Sequence, residues 1–244
     1  MAKILAISSQ VVFGPVGLSA IVPALQAQGH EVLPVPTVLL SFHPGHGAPA
    51  GSTITIEPLL KALENVGAFQ NIDAVITGYF ANAEQVGITA ALIKKLRPKI
   101  VLVDPVLGDH GRLYVKDDVA FAIRDQLLPL ATIVTPNAFE LSWLQATTIT
   151  DFAAAAKMLK VAEVIVTSVP AADQLATLRV TKTSVQWHHS PVRQNVPNGT
   201  GDYLSGLYLA RLFDMPHDQA FSAAMIALEN AIAISAPGKC LVVA

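Results

Sequence analysis

The sequence predicts an α/β fold of three layers, with helices on both faces of a mostly parallel sheet and an antiparallel hairpin at one edge. Three observations carry that prediction. Short runs of Val, Ile and Leu alternate with longer segments of helical period along most of the chain. The runs Ile4–Ile7 and Ile100–Val103 are apolar throughout, as strands covered on both faces must be. After Thr167 the rhythm changes, and two strand-like runs follow each other with no helix between them.

Taken in order, Ile4–Ile7 is the first strand, and Leu18, Ile21, Val22 and Leu25 form one helical stripe that ends at Gly29. Glu31 to Val38 reads as a strand whose Pro34 and Pro36 call for an edge position or an irregular exit. Leu59, Leu60, Leu63 and Val66 give a second helix from Glu57, and Ala74–Thr77 a strand closed by Gly78. A third helix carries Leu92, Ile93 and Leu96 before Pro98, and Ile100–Val103 ends on the carboxylate of Asp104. Next come a helix over Asp117–Leu127, a strand over Thr132–Thr135 and a short helix opening at Asn137. Glu140 lies three residues on, as in a capping box. Asp151–Lys160 reads as a helix and Val164–Thr167 as a strand. Leu175–Val180 and Ser184–His188 form the hairpin, and helices over Gly201–Leu212 and His217–Ile234 close the chain. Strand then helix, repeated, implies right-handed crossovers.

No linker, charge run or internal repeat divides the 244 residues, so one domain over 1–244 is expected. A single cysteine, Cys240, excludes an intrachain disulfide scaffold. A net charge of −2 argues against nucleic-acid binding, which needs a basic stripe to displace counterions. Only 14% of residues are charged, against roughly 25% in an average soluble domain, so a partner surface is expected and homo-oligomerisation with it. The uncharged stretch from Ile4 to Gln28 is interrupted by Ser8, Ser9, Gln10, Gly14, Pro15, Gly17 and Pro23. It reads as strand, loop and helix in a cytoplasmic protein, not as a membrane span.

In an open parallel sheet, ligands bind outside the carboxyl ends of the strands. The polar residues there are Ser8 and Ser9, Gly78 and Tyr79, Asp104, Asn137 and Glu140, and Thr167 and Ser168. The most informative segment is Asn198-Gly199-Thr200-Gly201-Asp202, which opens a helix. Its glycines let backbone N–H groups approach a ligand, and the helix N-terminus favours a phosphate or a developing anion. A carboxylate there makes chemical sense as a base that takes a proton from an alcohol while the amides hold a transferring phosphoryl group. An aspartate in a first helical turn is equally common as a dipole or capping residue, and the bare segment leaves both readings open. No P-loop motif occurs, and no G-x-G-x-x-G follows the first strand. His188, His189 and His217 have no metal-ligand spacing.

Six strings stand in collinear order over nearly the whole chain: Ser8-Ser9-Gln10-Val11-Val12-Phe13-Gly14, Thr77-Gly78-Tyr79, Asp104-Pro105-Val106-Leu107-Gly108-Asp109, Thr135-Pro136-Asn137-Ala138-Phe139-Glu140, Val166-Thr167-Ser168 and Gly199-Thr200-Gly201-Asp202. Together they resemble the pyridoxal kinases of the ribokinase-like superfamily. The resemblance implies a ribokinase-like sandwich and ATP-dependent phosphorylation of the 5′-hydroxymethyl group of a vitamin B6 vitamer. It implies Asp202 as the base and Gly199, Thr200 and Gly201 as the anion hole. Asp104, Asn137 and Glu140 match positions around the ATP phosphates and a water-coordinated Mg²⁺, with Asp104 and Glu140 on the metal side. Thr167 and Ser168 match nucleotide-phosphate contacts, and Ser9, Val38, His43 and Tyr79 match the wall of the pyridine pocket. K⁺ is a further candidate cofactor, and a homodimer is the assembly the family suggests.

The chain also departs from that pattern. Pro44 in Ser41-Phe42-His43-Pro44 stands where the family usually has a hydroxyl, and Ser8-Ser9-Gln10 replaces a string ending in histidine. The stretch between Ser168 and Asn198, where relatives carry nucleotide-covering loops, is short. Phe42 to Ser52, with three glycines, two prolines and two histidines, is expected as a mobile flap over the substrate. The expected activity is therefore a pyridoxal kinase, with hydroxymethylpyrimidine kinase as the alternative enzyme. A catalytically silent nucleotide- or vitamer-binding protein is the alternative outside enzymology. Pyrimidine members of the family usually carry Cys where this chain has Asp202.

Overall fold

A computed structural model describes residues 1–235 and 240–243. In chain order the strands are β1 (Lys3–Phe13), β2 (Glu31–Phe42), β3 (Gly51–Thr53), β4 (Ala74–Thr77), β5 (Ile100–Val103), β6 (Gly108–Asp109), β7 (Arg112–Leu113), β8 (Ile133–Val134), β9 (Glu163–Ala171), β10 (Gln174–Thr181) and β11 (Val185–Pro191). The helices are α1 (Leu18–Gln26), α2 (Ile56–Asn65), α3 (Ala83–Leu96), α4 (Asp117–Ala122), α5 (Ala138–Gln145), α6 (Phe152–Met158), α7 (Thr200–Arg211) and α8 (His217–Ile234). Nine strands make one sheet in the order β11-β10-β9-β8-β5-β4-β1-β2-β3, and β6 pairs with β7 in a small hairpin of its own. The centre from β2 to β9 is parallel, and β10 and β11 extend it antiparallel at one end, as the change of rhythm after Thr167 requires.

Period-two alternation distributes the apolar residues. Ile4 and Ala6 of β1 face a layer built by α1, α7 and α8, and Leu5 and Ile7 face the opposite layer of α2, α3 and α4. Each fully buried Leu or Ile contributes roughly 1.5–3 kcal/mol, so slipping β1 by one residue would exchange two complementary cores. A third cluster joins α5 and α6 to β9 and β10. Gly206 on α7 lies against α1 so closely that a Cβ there would be 3.0 Å from the Ala24 Cβ. That contact sets where the α7 N-terminus emerges.

Two strands are longer than their apolar runs. β1 continues to Phe13 and β2 to Phe42, pairing through Gln10–Leu39 and Val11–Leu40 to form an arm beyond the core. The prolines of β2 fit because of their phase. The Glu31 N–H donates to the Ala2 carbonyl on the β1 side, so residues an odd number further on, Pro34 included, point away from β1. Pro36 shares the phase of Pro34, and both missing donors fall on the side where β3 has not yet begun. The helix expected over Asp117–Leu127 is α4 followed by a π-helical turn over Ile123–Leu127.

At the amino ends of the strands, a buried network ties α7 and α8 to the sheet. Glu163 of β9 pairs with Arg179 of β10 and accepts from the Tyr208 hydroxyl of α7. Its other oxygen is 2.6 Å from His217 Nδ1 at the start of α8. Among the described residues, no helix is long and apolar enough to cross a membrane.

Candidate active site

The carboxyl ends of β1, β4, β5, β8 and β9 meet the N-terminus of α7, and most of the polar residues expected from the sequence gather there. Gly199 caps α7 with φ of 93°, and a Cβ on it would lie 1.9 Å from the Pro15 carbonyl oxygen. Only glycine fits that conformation and that contact. Gly201 is exposed and faces open space within 4 Å. Thr200 and Gly201 begin the helix, with first-turn N–H groups that the helix itself leaves unpaired.

Asp202 is partly buried in that turn. Burial pushes its pKa up to about 6, and the Gly17 backbone N–H works against that by favouring the charged carboxylate. Ser8 and Asp202 both crowd Gly78, and Ser9 crowds Gly17. Gly78 sits where a Cβ would be 2.4 Å from Ser8 Oγ and 3.7 Å from Asp202 Oδ1. Gly17 sits where a Cβ would be 2.3 Å from Ser9 Oγ. The Tyr79 N–H donates to Ser8 Oγ over 3.1 Å, which locks the ends of β1 and β4 together.

Asp104, 7% exposed, follows β5. Burial and then the neighbouring Asp202 raise its pKa to about 8, against hydrogen bonds from Ser205 and Thr135. Ser205 Oγ donates to Asp104 Oδ2 at 3.0 Å and is itself 3.0 Å from Thr135 Oγ1. Asn137 and Glu140 do form the capping box of α5, and they do more. Glu140 Oε1 accepts from the N–H of Leu107 at 2.9 Å and of Gly108 at 3.4 Å. Asn137 Nδ2 donates to the Gly108 carbonyl at 2.8 Å. The pair thus clips the β6–β7 hairpin beside Asp104. Burial, then Asp104, raises the Glu140 pKa well above the ordinary range.

Thr167 and Ser168 lie at a β-bulge, two residues set against Thr177 of β10, with Ser168 at φ of 56° and exposed. Such a bulge turns side chains out at a sheet rim. Val38 is buried where β2 pairs with β3, and Tyr79 is half-buried with its carbonyl accepting from Thr37 Oγ1 at 2.7 Å. Burial raises the Tyr79 phenol pKa. His43 Nδ1 accepts from the Gly45 N–H at 3.1 Å, and burial followed by His46 lowers its pKa.

His43 and His46 line a cavity of about 230 Å³ with Pro15, Val16, Asn198 and Cys240, whereas Ser9, Val38 and Tyr79 do not line it. The expected flap is a short helical turn over Pro44–His46 followed by β3. Gly45 approaches Asn198, and the His46 ring stands 5.7 Å from that of Phe13. The contributions of Ser205, Thr135 and Gly17 were not read from the sequence. Ser205 had a legible signal, since a residue three after Asp202 shares its helix face.

The donor set is hard oxygen, with the carboxyl group of Asp104 repelled by those of both Asp202 and Glu140 at one rim. No group of three or more His, Cys, Asp or Glu among the described residues is placed to bind a metal directly. Hard oxygen donors of this kind suit Mg²⁺, which is bound through one or two carboxylates and keeps waters and phosphate oxygens for the rest.

The sheet order, the two helical layers and a rim of this kind define the ribokinase-like α/β/α sandwich. The phosphomethylpyrimidine kinase family model matches residues 9–239. The pyridoxal kinase PdxY of Corynebacterium diphtheriae is 34% identical over 224 residues, covering 84% of this chain and 79% of that protein. The pyridoxal kinase of Entamoeba histolytica superposes with a TM-score of 0.93 at 25% identity, covering 100% of this chain and 93% of that one. The Leishmania donovani pyridoxal kinase in complex with ADP and pyridoxine gives a TM-score of 0.87 at 29% identity, covering 95% and 85%. The chain belongs to the phosphomethylpyrimidine kinase family and, within it, to the pyridoxal kinases.

Proposed function

We propose that this chain is an ATP-dependent kinase that phosphorylates the 5′-hydroxymethyl group of pyridoxal or another vitamin B6 vitamer. The relatives named as pyridoxal kinases support the reaction, and one observation carries the assignment of its base. The Asp202 carboxylate stands in the first turn of a glycine-capped helix, where the Gly17 backbone N–H favours its charged form. In this reading Asp202 takes the hydroxyl proton as the oxygen attacks. A positioned general base contributes typically 10²–10⁴-fold. The amides at Gly199, Thr200 and Gly201 take up charge on the transferring phosphoryl group, a stabilisation that costs no reorganisation because the helix has already oriented them. No covalent enzyme intermediate is required.

Asp104, with Glu140 acting through water, would hold Mg²⁺, which would neutralise phosphate charge when bound. Asn137, Thr167 and Ser168 would border the nucleotide. Ser9, Val38, His43 and Tyr79 would border the vitamer, with the Phe42–Ser52 flap excluding water above it. K⁺ is assigned the role of a supporting cofactor. The whole of 1–244 would act as one domain, in a cytoplasmic homodimer that uses the exposed apolar arm of Val12, Phe13 and Leu39.

A substrate panel with ATP and Mg²⁺ tests the reading. A kcat/KM for pyridoxal, pyridoxine or pyridoxamine at least tenfold above that for hydroxymethylpyrimidine is expected. The reverse order would assign the chain to the pyrimidine activity.

A further inference from the structure

We propose that Ser205 is a positioning residue that couples the helix carrying the base to the carboxylate on the metal side, and that it fixes Asp104 for metal binding. The inference rests on the reading of Asp104 as a magnesium-binding group. Ser205 is 1% exposed and lies one turn after Asp202, on the same face of α7. Its hydroxyl has one proton, which is donated to Asp104 Oδ2 at 3.0 Å. Thr135 Oγ1 lies 3.0 Å from Ser205 Oγ and acts on the same carboxyl group, so the two hydroxyls brace Asp104 together.

That cluster links three elements, the ends of β8 and β5 and the interior of α7, where the carboxyl groups of Asp104, Asp202 and Glu140 crowd a rim. Asp104 has no described cationic partner to hold it there. Side chains that orient a metal-binding carboxylate in this way typically change affinity by 10–100-fold when removed.

The test is equilibrium binding of Mn²⁺ in the presence of ADP, read from the EPR signal of the free ion, which requires no turnover. Asp104→Asn should weaken binding, Ser205→Ala should weaken it about tenfold, and Ser205→Thr, which restores the hydroxyl, should return it to within about threefold of the parent. In the Asp104→Asn background, Ser205→Ala should add nothing further. Thr135→Val, which keeps the side-chain shape, gives a second reading and should weaken binding in the same direction if Ser205→Ala does not fold. If Asp104→Asn weakens binding while Ser205→Ala and Thr135→Val do not, the inference about Ser205 fails and the reading of Asp104 stands. An additive Ser205→Ala effect in the Asp104→Asn background would also overturn it. If Asp104→Asn itself leaves Mn²⁺ affinity unchanged, the reading of Asp104 fails.

Discussion

The Gly17 backbone N–H favours the charged form of Asp202 against its burial, so the loop after β1 and the first turn of α7 meet at the carboxylate proposed to accept the substrate proton. Gly17 has φ of 56°, and a Cβ there would lie 2.2 Å from the Ser9 carbonyl. Glycine is needed twice over, for its conformation and for its size.

Gly17→Ala should therefore displace the loop and misdirect Asp202. Strain of this kind costs on the order of 1–3 kcal/mol. The expected result is a lower melting temperature with kcat reduced at least tenfold. Thermal melts and initial rates measured on the same preparation check it.

The raised pKa of Asp202, about 6, sets the acid limb of the reaction. A base must be ionised to accept a proton, so kcat/KM measured at saturating Mg²⁺ should fall tenfold per pH unit below about 6. A limb near pH 4 would mean that a different group limits the rate.

The same shift has a consequence for stability. The folded protein holds this proton more tightly than the unfolded chain, whose aspartate titrates near 3.8, so folding loses stability as pH rises from about 4 to about 6 and stays lower above. Asp202→Asn removes that penalty while keeping an acceptor for Gly17. It should stabilise the protein by on the order of 3 kcal/mol at pH 8 and by close to nothing at pH 4. Denaturant melts at the two pH values compare them.

Much of this was legible in the sequence, and what was not has definite physical causes. The layers followed from alternation in β1 and from the apolar run of β5, because burial on both faces leaves no other pattern. The glycines around Thr200 marked the α7 N-terminus for the same reason that the structure needs one at Gly199. Hidden instead were features set by tertiary register. The bulge that puts Thr167 and Ser168 opposite Thr177 depends on β10, and the extension of β1 to Phe13 depends on its pairing with β2. The double role of Glu140, as cap and as clip on the Gly108 backbone, appears only once the β6–β7 hairpin is folded against α5.

The buried Glu163–Arg179 pair predicts a purely structural effect far from the chemistry. Arg179→Met removes the guanidinium from Glu163 and leaves the buried carboxylate with the Tyr208 hydroxyl and the His217 ring. It should cost about 3–5 kcal/mol, with KM for both substrates unchanged in the fraction that remains folded. Chemical denaturation and steady-state kinetics separate the two effects.

The central claim is that Asp202 removes the proton from the alcohol, and single-turnover phosphoryl transfer from ATP to pyridoxal in Asp202→Asn, with nucleotide affinity measured in parallel, tests it most directly. The account predicts a rate lowered by about 10²–10⁴-fold with ADP bound as tightly as in the parent or more tightly. A rate within a few-fold of the parent would contradict it.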